Sequence, residues 1–211
     1  MKPMKPSEQE SVPSSIFDEI FSASADPWGY TSQFNEISKF RATIKALPKV
    51  QFKNAFEIAC AIGVLTEQLA KKCDRLLSVD YSELALVEAR KRCRDLPQVR
   101  FENMQIPQQF PTESFDLILF SEVGFFLTLE DLHKTKEKII DRLLPGGYLL
   151  MVHYRLTAGD YFILDGETVH DTFIQNSASS LKHLGDPRKK FLMLDLARHH
   201  KRYRMDLFQR L

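Results

Sequence analysis

Between residues 55 and 153 the chain alternates short, nearly continuous apolar runs with longer amphipathic stretches, and this alternation constrains the fold more than any other feature. The apolar runs lie at 55–60 (AFEIAC), 76–79 (LLSV), 99–101 (VRF), 115–120 (FDLILF) and 148–153 (YLLMVH). Each is strand-length, and runs apolar on both faces suit a parallel sheet covered by helices on either side. The intervening stretches at 63–72, 83–93 and 130–143 have helical spacing, and Ser82 is placed to cap the second of them. Strands alternating with helices predict βαβ units and a doubly wound α/β domain. Pro145, Gly146 and Gly147 read as a turn before the fifth run. Near the end, Tyr203, Met205 and Leu207 alternate with Arg204, Asp206 and Phe208, which predicts a last, antiparallel strand near the sheet edge.

The flanks differ in texture. Residues 1–14 are polar and Pro-bearing and read as a disordered tail. Residues 15–50 read as a helical lid broken at Asp26-Pro27-Trp28-Gly29, with Phe34, Ile37, Phe40 and Ile44 on one helix face before Pro48. Residues 166–175 read as a further helix. The expected organisation is one domain over 15–211, consistent with a length of 211 residues.

Composition excludes several classes of function. A net charge of +1 provides no field to recruit nucleic acid or an anionic membrane. The one local basic stretch comprises Arg198, His199, His200, Lys201, Arg202 and Arg204. Neither an apolar leader nor a run long enough to span a bilayer is present. Three cysteines, Cys60, Cys73 and Cys93, are an odd number without CxxC spacing, which argues against a disulfide framework or zinc site and for a reducing cytoplasm. The scattered His and Asp residues have no metal-ligand spacing, so no metal is expected.

In an open α/β sheet the ligand sits beyond the carboxyl ends of the strands. The informative residues are expected just after the first, second, fourth and fifth runs. After the first comes FEIACAIG, residues 56–63. A GxGxxG frame puts Val64 at its third glycine, too bulky for a dinucleotide oxidoreductase. The ExGxGxG frame fits better: Glu57, Ala59, Ala61 and Gly63 resemble the first motif of class I methyltransferases, with alanine at two glycine positions. The two alanines also leave open a cofactor-binding protein without catalysis. Asp80 lies 23 residues beyond Glu57, placed to accept ribose hydroxyls, with Tyr81 against the adenine. Asn103 and Met104 are placed for the adenine edge and face. Ser121 and Glu122, after the fourth run, face the reacting group.

Beyond this motif order, the chain resembles the nodulation N-methyltransferases of the NodS type, from about Phe17 to Leu211. The resemblance is carried by Asp26-Pro27-Trp28, the stretch EIACAIGVLTEQLAKKCDRLLSVDYS, FDLILFSEVGFFL, LLPGGYLLMVHYR, DGETVHDTF and YRMDLF. It implies a Rossmann-like class I methyltransferase with a mostly parallel seven-stranded sheet. It also implies S-adenosylmethionine as cofactor, S-adenosylhomocysteine as product, and a small-molecule acceptor bearing an amino-sugar-like nitrogen. Gly124-Phe125-Phe126 departs from the family, which often carries tyrosines there, so an oxygen acceptor stays open as an alternative.

Methyl transfer to an amine requires alignment of the nucleophile and loss of its proton. Glu122, His153 and His170 are the candidate proton acceptors, since histidine titrates near neutrality. Asp171, Trp28 and Tyr30 are candidates for acceptor binding, and Lys39 for the cofactor's methionine carboxylate.

Overall fold

A computed structural model describes residues 10–155, 161–175, 177–190 and 202–211. Among these residues seven strands form one sheet in the order β3-β2-β1-β4-β5-β7-β6. They are β1 (Ala55–Ile58), β2 (Leu76–Asp80), β3 (Val99–Asn103), β4 (Phe115–Ser121), β5 (Leu143–Tyr154), β6 (Leu181–Gly185) and β7 (Tyr203–Arg210). The pairs among β1 to β5 are parallel, and β7 runs antiparallel to both β5 and β6. The strand order reverses at β1 and β4, so the crevice at their carboxyl ends is the place for a ligand. β7 is inserted between β5 and β6 and is not itself the edge. β6 (LKHLG) takes that position; its exposed middle hides it from a search for apolar runs. Pro145, Gly146 and Gly147 are carried inside β5, where the register against β4 shifts, and do not form a free turn.

Among the described residues six helices surround the sheet: α1 (Ser14–Ala23), α2 (Phe34–Ala46), α3 (Val64–Leu69), α4 (Glu83–Arg92), α5 (Leu129–Arg142) and α6 (Gly166–Ile174). Ser82 caps α4, Thr128 caps α5 and Asp165 caps α6, each side chain accepting an N–H three residues on. β1 and β2 are buried along their whole length, and the sheet divides the core into two faces. One gathers Phe56, Phe115, Phe120, Ile139 and Phe173, and the other Leu65, Leu69, Leu119, Leu150 and Met205.

The lid is packed rather than loose. On α1, Phe21 joins Ile62 and Ala85, and Asp18 accepts the Ser82 hydroxyl at 2.6 Å. On α2, Phe40 and Ala46 reach the second core face. Of the expected tail, residues 1–9 lie outside the described residues. The rest is tied down: Val12 is buried and its N–H donates to Phe126 O at 2.9 Å, while Ser11 Oγ donates to Asp131. One apolar side chain among polar neighbours was enough to dock it. Residues 198–201 of the basic stretch also lie outside the described residues. Arg204 is turned into ion pairs with Asp206, Glu167 and Asp171.

Candidate functional site

The turn after β1 folds against its sequence preference. Ala59 and Ala61 adopt φ of 61° and 47°, and Glu122, just after β4, adopts 56°. Left-handed backbone costs a non-glycine residue about 1 kcal/mol or more. Among the described residues these are the only non-glycine positions with positive φ, and all three line one cavity of about 460 Å³. Gly63 ends the turn at φ 77° as the N-cap of α3, and a Cβ there would press on Ala89 of α4. Asp80 holds this geometry. Its Oδ2 accepts Ala61 N–H at 2.8 Å and its Oδ1 accepts Ser82 N–H at 2.9 Å. The carboxylate is nearly buried and lines the cavity, with Tyr81, Met104 and Ile106 beside it. Burial raises its pKa to about 6, against the pull of those amide donors.

The same cavity has a charged, aromatic end. Glu122, Glu36, Lys39, Tyr154, Tyr30 and Trp28 line it. Lys39 Nζ lies 2.9 Å from Glu36 Oε2, 3.6 Å from Glu122 Oε1 and 4.3 Å from the centre of the Tyr154 ring. Tyr154 positions both carboxylates: its N–H donates to Glu122 Oε1 at 3.0 Å and its hydroxyl donates to Glu36 Oε1 at 2.8 Å. Burial pushes the Glu122 carboxyl up to about 7, with Lys39 opposing and Glu36 adding to the rise. A carboxyl with that pKa can accept a proton near neutrality. Asp26 shapes the aromatic wall by accepting Tyr30 N–H and Thr31 N–H, and Trp28 stacks on Tyr30 at 5.6 Å between ring centres.

Residues 18–160, more than half the chain, match the family model for nodulation protein S, NodS. The chain belongs to the NodS family. Nodulation protein S of Rhizobium tropici is 28% identical over 130 residues, 61% of this chain and 55% of that protein. The chain thus spans little more than half the length of this curated relative. The N-methyltransferase NodS of Bradyrhizobium japonicum WM9, solved with S-adenosylhomocysteine, superposes with a TM-score of 0.78 at 22% identity, covering 93% of this chain and 98% of that one. A Pseudomonas syringae protein whose crystal structure is described as that of a methyltransferase is 31% identical, with a TM-score of 0.67, covering 84% of this chain and all of that one.

In this NodS-family chain the structure separates the expected site residues into two groups. Ala59, Ala61, Asp80, Tyr81, Met104, Glu122, Lys39, Trp28 and Tyr30 share the cavity wall. Glu57, Gly63, Asn103, Ser121, His153, His170 and Asp171 do not reach it. Glu57 lies beneath the turn, where its Oε2 accepts the Thr66 and Ser78 hydroxyls at 2.6 and 2.8 Å; burial raises its pKa to about 7. The Asn103 amide donates to the carbonyls of Asp80 and Tyr81 and so braces the end of β2. Ser121 is paired inside the sheet with Val152. Asp171 is half-exposed and held by Arg204.

His153 and His170 form a buried chain of hydrogen bonds in place of the expected proton acceptors. Gly124 N–H donates to His153 Nε2 at 3.1 Å, which leaves the His153 proton on Nδ1. That nitrogen faces His170 Nε2 at 3.1 Å, and His170 Nδ1 faces Asp206 Oδ2 at 2.7 Å. Burial keeps both rings neutral, lowering their pKa values. Gly124 is needed there because a Cβ would strike Val169. Sequence reading missed Glu36 and Tyr154. Glu36 sits one helical turn before Lys39, so its spacing was the available signal.

Proposed function

We propose that the chain is an S-adenosylmethionine-dependent N-methyltransferase for a small amine, of the amino-sugar type. The observation that carries this reading is the cavity itself. Its strained backbone and nucleoside-type carboxylate at one end meet a carboxylate and aromatic cluster at the other. The residues fit the cofactor. Asp80 retains lone pairs for ribose hydroxyls, Tyr81, Met104 and Ile106 offer an apolar slot for a purine, and Ala59 and Ala61 keep the turn free of bulk. When bound, S-adenosylmethionine supplies a methyl group already activated by a sulfonium.

The protein's own task is to bind, orient and deprotonate the amine. Glu36 and Glu122 attract a cation, and Tyr154, Tyr30 and Trp28 surround it with ring faces. Glu122 accepts the ammonium proton at its carboxylate, leaving a neutral nitrogen to attack. A hydroxyl acceptor would not need two carboxylates around it, which favours nitrogen over oxygen. The name of the Bradyrhizobium relative, an N-methyltransferase, points the same way.

Mass spectrometry of methyl transfer to a panel of amino sugars, simple amines and phenols tests the reading. Methylated amines from the wild type, and none from Glu122→Gln, are expected. Calorimetry that found no S-adenosylhomocysteine binding, or unchanged binding to Asp80→Ala, would count against the cofactor assignment.

A further inference from the structure

Lys39 occupies an unusual place for a cavity-wall lysine. Its side chain is only 2% exposed, so the ammonium has given up water. What replaces the water is a ready-made cation site: two carboxylates at 2.9 and 3.6 Å and a ring face at 4.3 Å. The site is held in shape without Lys39, because Tyr154 bonds both carboxylates through its own N–H and hydroxyl. Glu36, Glu122 and Tyr154 all face the cavity, so anything bound beside them could reach the same three groups.

Two ammonium groups cannot share this volume. We propose that Glu36, Glu122 and the Tyr154 ring form the subsite for the acceptor's ammonium group. Lys39 fills it in the unliganded chain, and the acceptor enters only after Lys39 is drawn to the cofactor's carboxylate. This rests on the N-methyltransferase reading above and adds a binding order to it. The four-carbon stem of Lys39 gives its charged end freedom to move between two anionic positions. Its departure leaves two carboxylates facing one another, and that unbalanced charge favours a new cation. Cofactor binding and amine binding then support each other, because the move that pairs Lys39 with the cofactor also vacates the subsite, and the coupling is the same whichever ligand binds first.

The test uses propylammonium chloride, whose length matches the side-chain atoms removed by Lys39→Ala. Thermal unfolding of Lys39→Ala is expected to shift upward saturably with propylammonium and not with 1-propanol. Wild type should be indifferent to propylammonium alone. With S-adenosylhomocysteine present, wild type should gain propylammonium binding by roughly tenfold or more. If Lys39→Ala does not fold, Lys39→Met with methylammonium against sodium chloride asks the same question with the stem retained. Equal effects of propylammonium and propanol, or no effect of either, overturn the ammonium subsite. Propylammonium binding to wild type that is equal with and without S-adenosylhomocysteine overturns the binding order. Failure of S-adenosylhomocysteine to bind at all overturns the N-methyltransferase reading and the binding order, while the Lys39→Ala result still decides the subsite.

Discussion

Glu122 combines three unusual properties: a left-handed backbone, burial, and a pKa near 7. A base must be ionised to work, and Lys39 holds the Glu122 carboxyl down to about 7; with Lys39 drawn away that restraint is lost, so kcat/KM for an amine should rise with pH through 7 and level off only above it. Glu122→Gln should lose roughly 10²- to 10⁴-fold in kcat and also lose that rise; a pH–rate profile of both proteins checks this. Asp80 is tested by binding. Asp80→Asn keeps its size but offers one oxygen instead of two, so the Ala61 and Ser82 amides and the ribose hydroxyls compete for it. S-adenosylhomocysteine affinity, by calorimetry, should fall by about tenfold or more, in line with about 1–3 kcal/mol for a buried polar group left unmatched. Ala59 gives a prediction of opposite sign. Glycine adopts its φ of 61° without the Cβ penalty, so Ala59→Gly should stabilise the fold by up to about 1 kcal/mol in urea unfolding. The same change at Ala89, inside α4, should cost about 1 kcal/mol or more.

At the scale of elements, β1 to β4, the second half of β5 and α2 to α6 lie where the sequence places them. β1 and β2 are buried throughout and β4 nearly so, which is what a continuous apolar run records, whereas β3 is at most half-buried and its run is correspondingly short. β6 was not visible because only Leu181 of its five residues is buried, and its pairing with β7 is a long-range matter of topology. The site divides in the same way. Asp80, Tyr81 and Glu122 follow strand ends, where topology alone brings functional residues together. Glu36 and Tyr154 come from elements 118 residues apart and meet only through tertiary packing. The histidines mislead because a sequence displays their chemistry and not which way they face. Their setting instead predicts a structural role for Asp206 of β7. Its carboxylate receives His170 of α6 and His183 of β6, both at 2.7 Å, and Arg204 of its own strand. Burial opposes its ionisation, but those donors hold its pKa well below the usual carboxylate range. Asp206→Asn removes the charge and forces an amide against a histidine or arginine donor. It should lower stability by roughly 2–4 kcal/mol in urea unfolding, with the Asp80 site still able to bind S-adenosylhomocysteine in the folded fraction.

Across the whole molecule, buried titratable groups are placed on both core faces, and they shape stability in opposite directions. His153 and His170 are held neutral, so the unfolded chain takes up their protons first as the pH falls through the ordinary histidine range. Stability is lost on that acid side. The carboxyls behave in reverse. Glu57 titrates near 7 in the folded protein and near 4.5 when exposed, so the folded state favours its protonated form. Its contribution is fully present below about 4.5 and is lost as the pH rises to about 7. Above that, a buried carboxylate must be tolerated beneath the turn after β1, where it accepts the Thr66 and Ser78 hydroxyls. Glu57→Gln keeps the shape and an oxygen to accept those hydroxyls but cannot ionise. Urea unfolding at pH 5 and pH 8 therefore separates the two proteins. Their stabilities should lie close together at pH 5. At pH 8 the variant should be the more stable by a margin on the order of 1–3 kcal/mol, since each unit of pKa displacement corresponds to about 1.4 kcal/mol. An equal gap at both pH values would mean that Glu57 is ionised throughout and that the turn is held by charge rather than by a shared proton.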